Sequence, residues 1–201
     1  MSAGERLCKR AMDVGGAALG LVLCAPAIGV LALLVKLQDA GPAIYRRRVI
    51  GLAGEFDAFK LRTMRVDADD ILSRDTALRE RFQVNFKLKD DPRVTRLGRF
   101  LRRWSLDELP QLWNVVKGEM SLVGPRMISP AEHEKYGDAA WIFSARKPGL
   151  TGYWQVCGRK DGSYAERVAM DVDYVERGSL LWDMKILLMT PVRVLRGKEA
   201  E

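Results

Sequence analysis

The sequence predicts an α+β fold that is mostly helical, with a re-entrant N-terminal membrane helix-break-helix, a small β-hairpin, and interfacial amphipathic helices around a cytoplasmic domain. Three observations predict it. Residues 14–35 form an uncharged apolar run, residues 43–62 hold two extended segments around a glycine-rich turn, and later segments repeat apolar residues at helical spacing. The predicted division is a re-entrant membrane anchor over residues 1–37 and a cytoplasmic domain over residues 38–201.

The composition allows one domain plus a membrane element and excludes several classes of protein. Of 201 residues, 48% are hydrophobic and 29% are charged, so the chain can bury a core and is neither polytopic nor disordered. The single histidine, His133, argues against histidine metal sites and Ser-His-Asp catalysis. The three cysteines lie too far apart for a disulfide framework or a zinc knuckle. The net charge of +7 indicates an anionic partner, which could be nucleic acid, lipid headgroups or a phosphorylated substrate.

The apolar run over residues 14–35 is long enough to enter a membrane. As a helix rising ~1.5 Å per residue it would extend about 33 Å, against a hydrocarbon core of about 30 Å. Pro26 near its middle removes a backbone hydrogen bond, and both flanks are basic, which keeps both ends in the cytoplasm by the positive-inside rule. We therefore predict a helix break at Pro26 and entry and exit through one leaflet. A kinked single span and a lipoprotein signal ending at Cys24 are the alternatives.

The remaining elements follow from apolar periodicity and turn residues. In chain order the sequence predicts a hairpin of residues 43–50 and 55–62 about a turn at 51–54, a solvated charged helix over 67–82, a basic amphipathic helix over 92–104, a helix over 106–117, and an apolar segment over 180–195 in which Thr190-Pro191 begins a last short helix. No internal repeat or interdomain linker is visible in the sequence.

The basic helix over 92–104 carries arginines on one surface and apolar residues, ending in Trp104, on the other. This pattern is typical of a helix that lies in a membrane interface. Packing against a core and contact with nucleic acid are the alternative interpretations.

Ser105-Leu106-Asp107-Glu108 is the densest local signal, and it has two interpretations. Ser105 as N-cap with Glu108 three residues later would form a capping box for the helix over 106–117, with a purely structural role. In the other interpretation, Asp107 lies in the first helical turn, where backbone N–H groups keep it ionised and favour a bound phosphate. An ionised carboxylate can attack phosphorus to give an acyl phosphate, and Glu108 can hold a divalent cation. Arg102 lies within one turn upstream and could meet the same anion.

Two arginines and one aspartate are further candidates. Arg126 follows residues 121–125, which are predicted to end a helix in a rigid Gly-Pro turn, and Arg159 follows a second glycine-containing loop. Arginine forks bind phosphate oxygens bidentately, although a solitary surface arginine is usually only solvated. Asp183 lies in the apolar C-terminal segment and is either a buried ligand contact or a polar-face residue.

Short motifs follow one another in order along nearly the whole chain. They are Lys9-Arg10 with Asp13, Gly41-Pro42 with Tyr45, and the segments 59–64, 91–95, 105–111, 118–126, 147–152, 158–159 and 183–185. This series resembles the small monotopic phosphoglycosyl transferases, bacterial sugar transferases that start exopolysaccharide, O-antigen or glycoprotein glycan assembly. Within that family the likeness is greatest to the galactose- or glucose-specific exopolysaccharide initiators.

The resemblance implies a membrane enzyme on the cytoplasmic face of the bacterial inner membrane. Such an enzyme moves a sugar 1-phosphate from a UDP-sugar to undecaprenyl phosphate and releases UMP, as the first membrane step of glycan synthesis. The expected partners are the UDP-sugar donor, the undecaprenyl phosphate acceptor and membrane lipids, with no nucleic acid and with a homodimer as one possible assembly.

The resemblance also implies roles for individual residues. Asp107 would attack the β-phosphorus and carry the phosphosugar covalently, and Glu108 would bind Mg²⁺. The residues expected to line the nucleotide and phosphate site are Arg102, Arg126, Arg159 and Asp183. The rival interpretations are a direct, ternary-complex transferase, in which Asp107 is only a base or a metal ligand, and a non-catalytic basic scaffold or nucleic-acid-binding protein.

Overall fold

The fold is described from a computed structural model, which describes residues 3–86, 88, 90–158 and 162–195. The chain is mostly helical, as predicted, and it contains two small two-stranded sheets. The α-helices are α1 (Ala3–Gln38), α2 (Ala68–Arg74), α3 (Thr76–Asn85), α4 (Arg96–Arg103), α5 (Gln111–Lys117), α6 (Pro130–His133), α7 (Ile142–Ala145), α8 (Tyr153–Cys157), α9 (Tyr164–Arg177) and α10 (Leu180–Leu195). The strands are β1 (Ile44–Gly51), β2 (Gly54–Leu61), β3 (Ser121–Val123) and β4 (Gly149–Thr151), and 3-10 helices cover Leu106–Glu108 and Glu134–Trp141.

The helix α1 is one continuous helix with Pro26 inside it. The predicted break is therefore a distortion within one helix at most, because a proline removes only one hydrogen bond and strong apolar helix formers continue on both sides. The most apolar 18-residue window of α1 has a mean hydropathy of 2.6 and is only 6% buried, so the helix is long and apolar enough to cross a membrane. The re-entrant topology and the boundary at residue 37 stay predictions.

Two separate points on α1, at Ala17 and at Val35, pack against the rest of the chain. Ala17 is buried in a cluster with residues of the hairpin and of α5, whereas Val35 is buried in a second cluster with Leu61 and Leu101. The apolar side chains between these two points are largely exposed: Leu19, Val22, Leu23, Val30 and Leu33. The middle of α1 thus presents an apolar surface that the described part of the chain does not cover.

Three polar side chains, those of Lys9, Arg10 and Asp13, attach the first half of α1 to the domain. Arg10 donates from Nη1 to the Val115 carbonyl at 2.7 Å and from Nη2 to the Val116 carbonyl at 2.8 Å. These carbonyls lie at the C-terminal end of α5, where helices leave unsatisfied acceptors. Asp13, buried within α1, accepts a hydrogen bond from Ser121 Oγ at 2.8 Å. The Lys9-Arg10 and Asp13 motif therefore fixes α1 on the domain.

The predicted hairpin is confirmed. The strands β1 and β2 pair antiparallel, from Ile44 opposite Leu61 to Gly51 opposite Gly54. Gly54 has a φ of 105°, a conformation that favours glycine and closes the turn.

The predicted basic helix over 92–104 is shorter in the structure, because α4 begins only after its N-cap at Thr95. Arg93 does not lie on the basic surface as predicted. It is buried, and its Nη2 donates to Asp91 Oδ2 at 2.7 Å. Burial alone would raise the pKa of Asp91, but the hydrogen bonds from Arg93 outweigh it and leave the pKa lowered. This buried ion pair lies just before α4, so Arg93 is not part of the predicted interfacial surface.

Two other predicted helix boundaries are wrong. The charged segment over 67–82 forms two helices, because Asp75 is extended and its side chain caps α3. Pro191 lies inside α10 and does not begin a separate helix, and the preceding Thr190 Oγ1 donates to the Ile186 carbonyl at 2.8 Å.

The second sheet was not predicted from the sequence. Residues 121–123 form the strand β3, parallel to β4, and not the end of a helix. The two backbones approach closely because glycines face each other: a Cβ on Gly149 would lie 2.1 Å from the Gly124 nitrogen. The Gly149 N–H also donates to the Pro125 carbonyl at 2.9 Å. The loop that carries the next residue, Arg126, is thereby held against β4.

Candidate active site

The segment Ser105–Glu108 connects α4 to α5 by an unusual backbone. Ser105 has φ 56° and ψ 22°, in the left-handed region, and its side chain makes no capping hydrogen bond. The capping-box interpretation is therefore wrong: residues 106–108 form a 3-10 turn, and α5 begins only at Gln111. A non-glycine residue in this region costs about 1–3 kcal/mol and is enriched at functional sites. The turn places Asp107 in the interior, at 6% exposure.

Lys60 on β2 is the cation that meets the two carboxylates. Its Nζ lies 3.0 Å from Glu108 Oε1 and 3.8 Å from Asp107 Oδ2. The side chains of Lys60 and Glu108 are only 14% and 15% exposed, so the three charges interact with little screening by solvent. We call Asp107 and Glu108 the carboxylate pair. Nothing in the local sequence indicates a role for Lys60, although the residue lies within the 59–64 motif that carries the family resemblance.

Arg102 is near enough to the carboxylate pair for its charge to interact with that of Asp107. Its Nε donates to Thr63 Oγ1 at 2.9 Å, just beyond the end of β2. The helix α4 approaches this point because Gly98 has no side chain: a Cβ there would lie 2.0 Å from the Thr63 carbonyl oxygen. Burial lowers the pKa of Arg102, and the charge of Asp107 acts against this shift. The charges of Arg102 and Asp107 therefore interact.

Arg126 is near enough to Glu108, the other member of the carboxylate pair, for their charges to interact. Burial lowers its pKa, the nearby charge of Arg167 lowers it further, and the charge of Glu108 acts in the opposite direction. The backbone N–H of Arg126 donates to Asp171 Oδ1 at 3.2 Å. The structure thus brings together four of the predicted site residues: Asp107, Glu108, Arg102 and Arg126.

An arginine cluster that the sequence did not predict lies next to Arg126. Arg47 of β1 donates to Glu132 Oε2 at 2.7 Å, and Arg167 of α9 lies 3.5 Å from Glu132 Oε1. Arg167 is only 8% exposed, and its guanidinium stacks on Tyr164 at 4.9 Å from the ring centroid. The two contacts with Glu132 join residues far apart in sequence, so only isolated arginines are visible in the chain itself.

Asp171 lies next to this arginine cluster. It accepts from Tyr136 Oη at 2.9 Å as well as from the backbone of Arg126. Burial raises the pKa of Asp171 to about 6, although the charge of Arg167 opposes the shift. The position of the Arg126 loop is therefore linked to a titratable group.

The last two predicted site residues have different outcomes. Arg159 lies outside the described residues. Asp183 is buried in a separate network: its Oδ2 accepts from Lys9 Nζ at 2.7 Å and its Oδ1 accepts from Tyr174 Oη at 2.7 Å. Both of its oxygens are thus occupied in joining α1, α9 and α10, and a role in substrate binding stays a prediction.

The carboxylate pair fits a magnesium ion that substrate phosphates help to hold. Mg²⁺ is commonly bound by one or two carboxylates together with phosphate oxygens and water. Within the described ranges, no group of three or more His, Cys, Asp or Glu side chains could enclose a metal on its own. Among the described residues, Asp107 and Glu108 could hold a divalent cation only together with other ligands, and magnesium binding stays a prediction.

The fold and the site together define a class of protein. A buried carboxylate pair is held between a lysine and arginines, beside one long apolar helix that indicates association with a membrane. The three cysteines are free, and the described residues hold the cationic groups needed to bind phosphorylated substrates. These features are typical of a membrane-associated protein with a cationic site.

Within this class the chain belongs to the bacterial sugar transferase family, whose profile matches residues 4–197. It is 47% identical over 198 residues to the UDP-galactose-lipid carrier transferase of Erwinia amylovora, covering 96% of this chain and 41% of that protein. It is 46% identical over 187 residues to the exopolysaccharide production protein ExoY of Sinorhizobium fredii, covering 90% of this chain and 83% of that protein. It is 43% identical over 203 residues to the UDP-glucose:undecaprenyl-phosphate glucose-1-phosphate transferase of Caulobacter vibrioides, covering 96% and 71%. The chain thus spans less than half of the Erwinia protein and most of the other two.

Proposed function

We propose that this chain transfers a hexose 1-phosphate, galactose or glucose, from a UDP-sugar to undecaprenyl phosphate and releases UMP. The observation that carries this proposal is the buried Asp107, 3.8 Å from Lys60 and next to Glu108. The names of the Erwinia and Caulobacter relatives support both the donor class and the lipid acceptor. The reaction would begin exopolysaccharide or related glycan synthesis.

The proposed reaction has two steps, each of which exchanges one phosphorus–oxygen bond for another. In the first step a carboxylate oxygen of Asp107 bonds to the β-phosphorus of the donor, and the bond to the bridging oxygen breaks, so that UMP leaves with that oxygen. In the second step a phosphate oxygen of undecaprenyl phosphate bonds to the same phosphorus, and the bond to Asp107 breaks. The covalent intermediate lets two anionic substrates use one cationic site in turn.

The surrounding residues have distinct parts in this proposal. Lys60 neutralises the carboxylate pair, because two negative side chains would otherwise repel the diphosphate of the donor. Arg102 and Arg126 approach the pair from α4 and from the β3–β4 loop and would bind phosphate oxygens. Glu108 would hold Mg²⁺, which when bound neutralises charge on the diphosphate.

We further propose that α1 enters the membrane from the cytoplasmic face and returns to it. The support is that Ala17 and Val35 both pack on the same domain, whereas the residues between them are exposed and apolar. A helix that crossed the bilayer would carry one of these contacts to the other side. Labelling single cysteines at Gly4 and Asp39 from each side of sealed vesicles tests this, and accessibility from opposite sides would refute it.

The chemistry is tested by intact-protein mass spectrometry. Purified enzyme is mixed with Mg²⁺ and UDP-galactose or UDP-glucose, without lipid acceptor. We expect an adduct of one hexose phosphate that is absent in Asp107→Asn and is discharged by undecaprenyl phosphate. UMP that forms only after the lipid is added, with no adduct, would instead indicate direct transfer in a ternary complex.

The non-catalytic alternatives make different predictions. A scaffold would keep its function in Asp107→Asn, and a nucleic-acid-binding protein would bind duplexes with a steep salt dependence. Unchanged glycan synthesis in cells that carry only Asp107→Asn would therefore refute the proposed catalysis.

A further inference from the structure

An apolar groove lies between α1 and the hairpin, next to the carboxylate pair. It has a volume of about 820 Å³, and its walls include Leu21, Ile28, Tyr45, Arg46, Phe59 and Trp113. A space of this size lies within the range of about 300–1,000 Å³ that is usual for small-molecule sites. Nearly all of the wall is hydrocarbon or aromatic, so a polar nucleotide would lose its hydration there without compensation.

The groove lies close to the site of the proposed chemistry. Tyr45, on its wall, is paired opposite Lys60, whose ammonium group contacts Glu108. Pro110, also on the wall, follows Glu108 by two residues. A molecule in the groove can therefore place one end at the carboxylate pair while the rest lies on apolar surface.

The other end of the groove is formed by the membrane helix. Leu21 and Ile28 belong to α1 on either side of Pro26, and their neighbours Val22 and Leu23 are more than two-thirds exposed. Tyr45 and Trp113 on the walls are about half exposed, as is typical of aromatic residues at a membrane–water interface. The groove thus connects the bilayer to the carboxylate pair.

The wall of the groove also carries a cationic side chain, that of Arg46. The guanidinium of Arg46 lies 5.9 Å from the centroid of the Phe59 ring, and the ammonium of Lys117 lies 5.8 Å from the same centroid. Such cations on an aromatic floor suit a ligand with a phosphate at one end and a hydrocarbon chain at the other.

We infer that this groove binds the first isoprene units of the polyisoprenyl phosphate acceptor, with the phosphate directed toward Lys60. The inference rests on the proposed function, in which this acceptor is the one reactant that must bring a hydrocarbon chain to Asp107. Acyl chains of ordinary phospholipids share the apolar chemistry, and the test below separates them from the acceptor.

The kinetic test compares two exposed tryptophans. Trp113 on the groove wall is 52% exposed and Trp141, which is not part of the wall, is 46% exposed, so both tolerate truncation to alanine. We expect Trp113→Ala to raise the KM for undecaprenyl phosphate by about fivefold without a matching rise in the KM for the UDP-sugar. Trp141→Ala is the matched control and should leave both constants unchanged. Equal effects of the two variants, or an unchanged lipid KM in Trp113→Ala, would overturn the inference.

A binding test that needs no turnover separates this inference from the proposed function. A diazirine-bearing polyisoprenyl phosphate is photolysed with the enzyme in nanodiscs, and the labelled peptides are mapped. We expect labels on the peptides that contain Tyr45 or Trp113, and loss of these labels with excess undecaprenyl phosphate but not with phosphatidylglycerol. Labelling elsewhere, or equal competition by phosphatidylglycerol, would refute the groove assignment even if the enzyme is active. An inactive enzyme with the expected labels would refute the proposed reaction alone.

Discussion

Replacing Lys60 by methionine keeps the length of the side chain and removes the cation between the carboxylates. At the observed separations of 3.0 Å from Glu108 and 3.8 Å from Asp107, two unit charges attract by about 5 and 4 kcal/mol at an effective dielectric constant of ~20. Bulk water would reduce these values about fourfold, and the partial burial of all three groups places the site between the two limits. Between these limits, we expect loss of the cation to raise the barrier to adduct formation by about 3 kcal/mol, because the carboxylates then repel the anionic donor.

The consequence for catalysis follows from that magnitude. A loss of about 3 kcal/mol corresponds to roughly a hundredfold slower formation of the phosphosugar adduct, measured as UMP release in the absence of lipid acceptor. Lys60→Arg should recover part of the rate, because it restores the charge with a different geometry. Lys135→Met serves as the control, since Lys135 is exposed and donates to the backbone carbonyls of Gln83 and Val84. A Lys60→Met enzyme that forms the adduct at the rate of the unmodified protein would refute the assignment of Lys60.

Three further predictions concern the backbone and the support of the site. Gly98→Ala should displace α4 from Thr63 and lower both activity and the melting temperature, since its Cβ would overlap the Thr63 carbonyl oxygen. Ser105→Gly should keep or raise the free energy of unfolding in denaturant titrations, because glycine removes the cost of the left-handed backbone; a loss of about 1 kcal/mol would instead revive a capping role. Asp171 has a folded pKa raised to about 6, so the folded state binds more protons than the unfolded state between about pH 4 and 6, and stability should fall as the pH rises through this window. Asp171→Asn should flatten that decline in pH-dependent thermal melts, and an unchanged slope would show that another group causes it.

The sequence predicts those parts of the fold that depend on local pattern. The hairpin follows from two extended segments about a glycine turn, and α1 follows from its apolar run. Arg93 misleads because helical spacing alone places it on a basic surface, whereas pairing with the nearby Asp91 buries it. The β3–β4 sheet consists of two three-residue strands that are paired over a long separation in the chain, and such short segments carry little periodicity.

The candidate site, like the fold, can be predicted from the sequence only where its residues are close together in the chain. Asp107 and Glu108 can be predicted from the sequence because they are adjacent and belong to one short family motif. Arg102 can be predicted for the same reason, since it lies shortly before them in the chain. Lys60 comes 47 residues before Asp107 in the chain, so its contact with the pair depends on how β2 lies against the 3-10 turn. The left-handed backbone of Ser105 cannot be predicted from the sequence for another reason. Serine followed three residues later by Glu also fits a capping box, and only the backbone angles distinguish a capping box from a left-handed turn.

The attachment of α1 at both Ala17 and Val35 has a consequence for the choice of membrane. A spanning helix must match the thickness of its bilayer by tilting or by deforming the lipid. Under the proposed re-entrant topology, a helix held at two points on one body has its insertion depth set by the protein, so the carboxylate pair would keep a constant height above the lipid whatever the acyl length. Enzymes of this design are therefore expected to work equally well in thin and thick bilayers, provided that the acceptor lipid is present in the leaflet they enter.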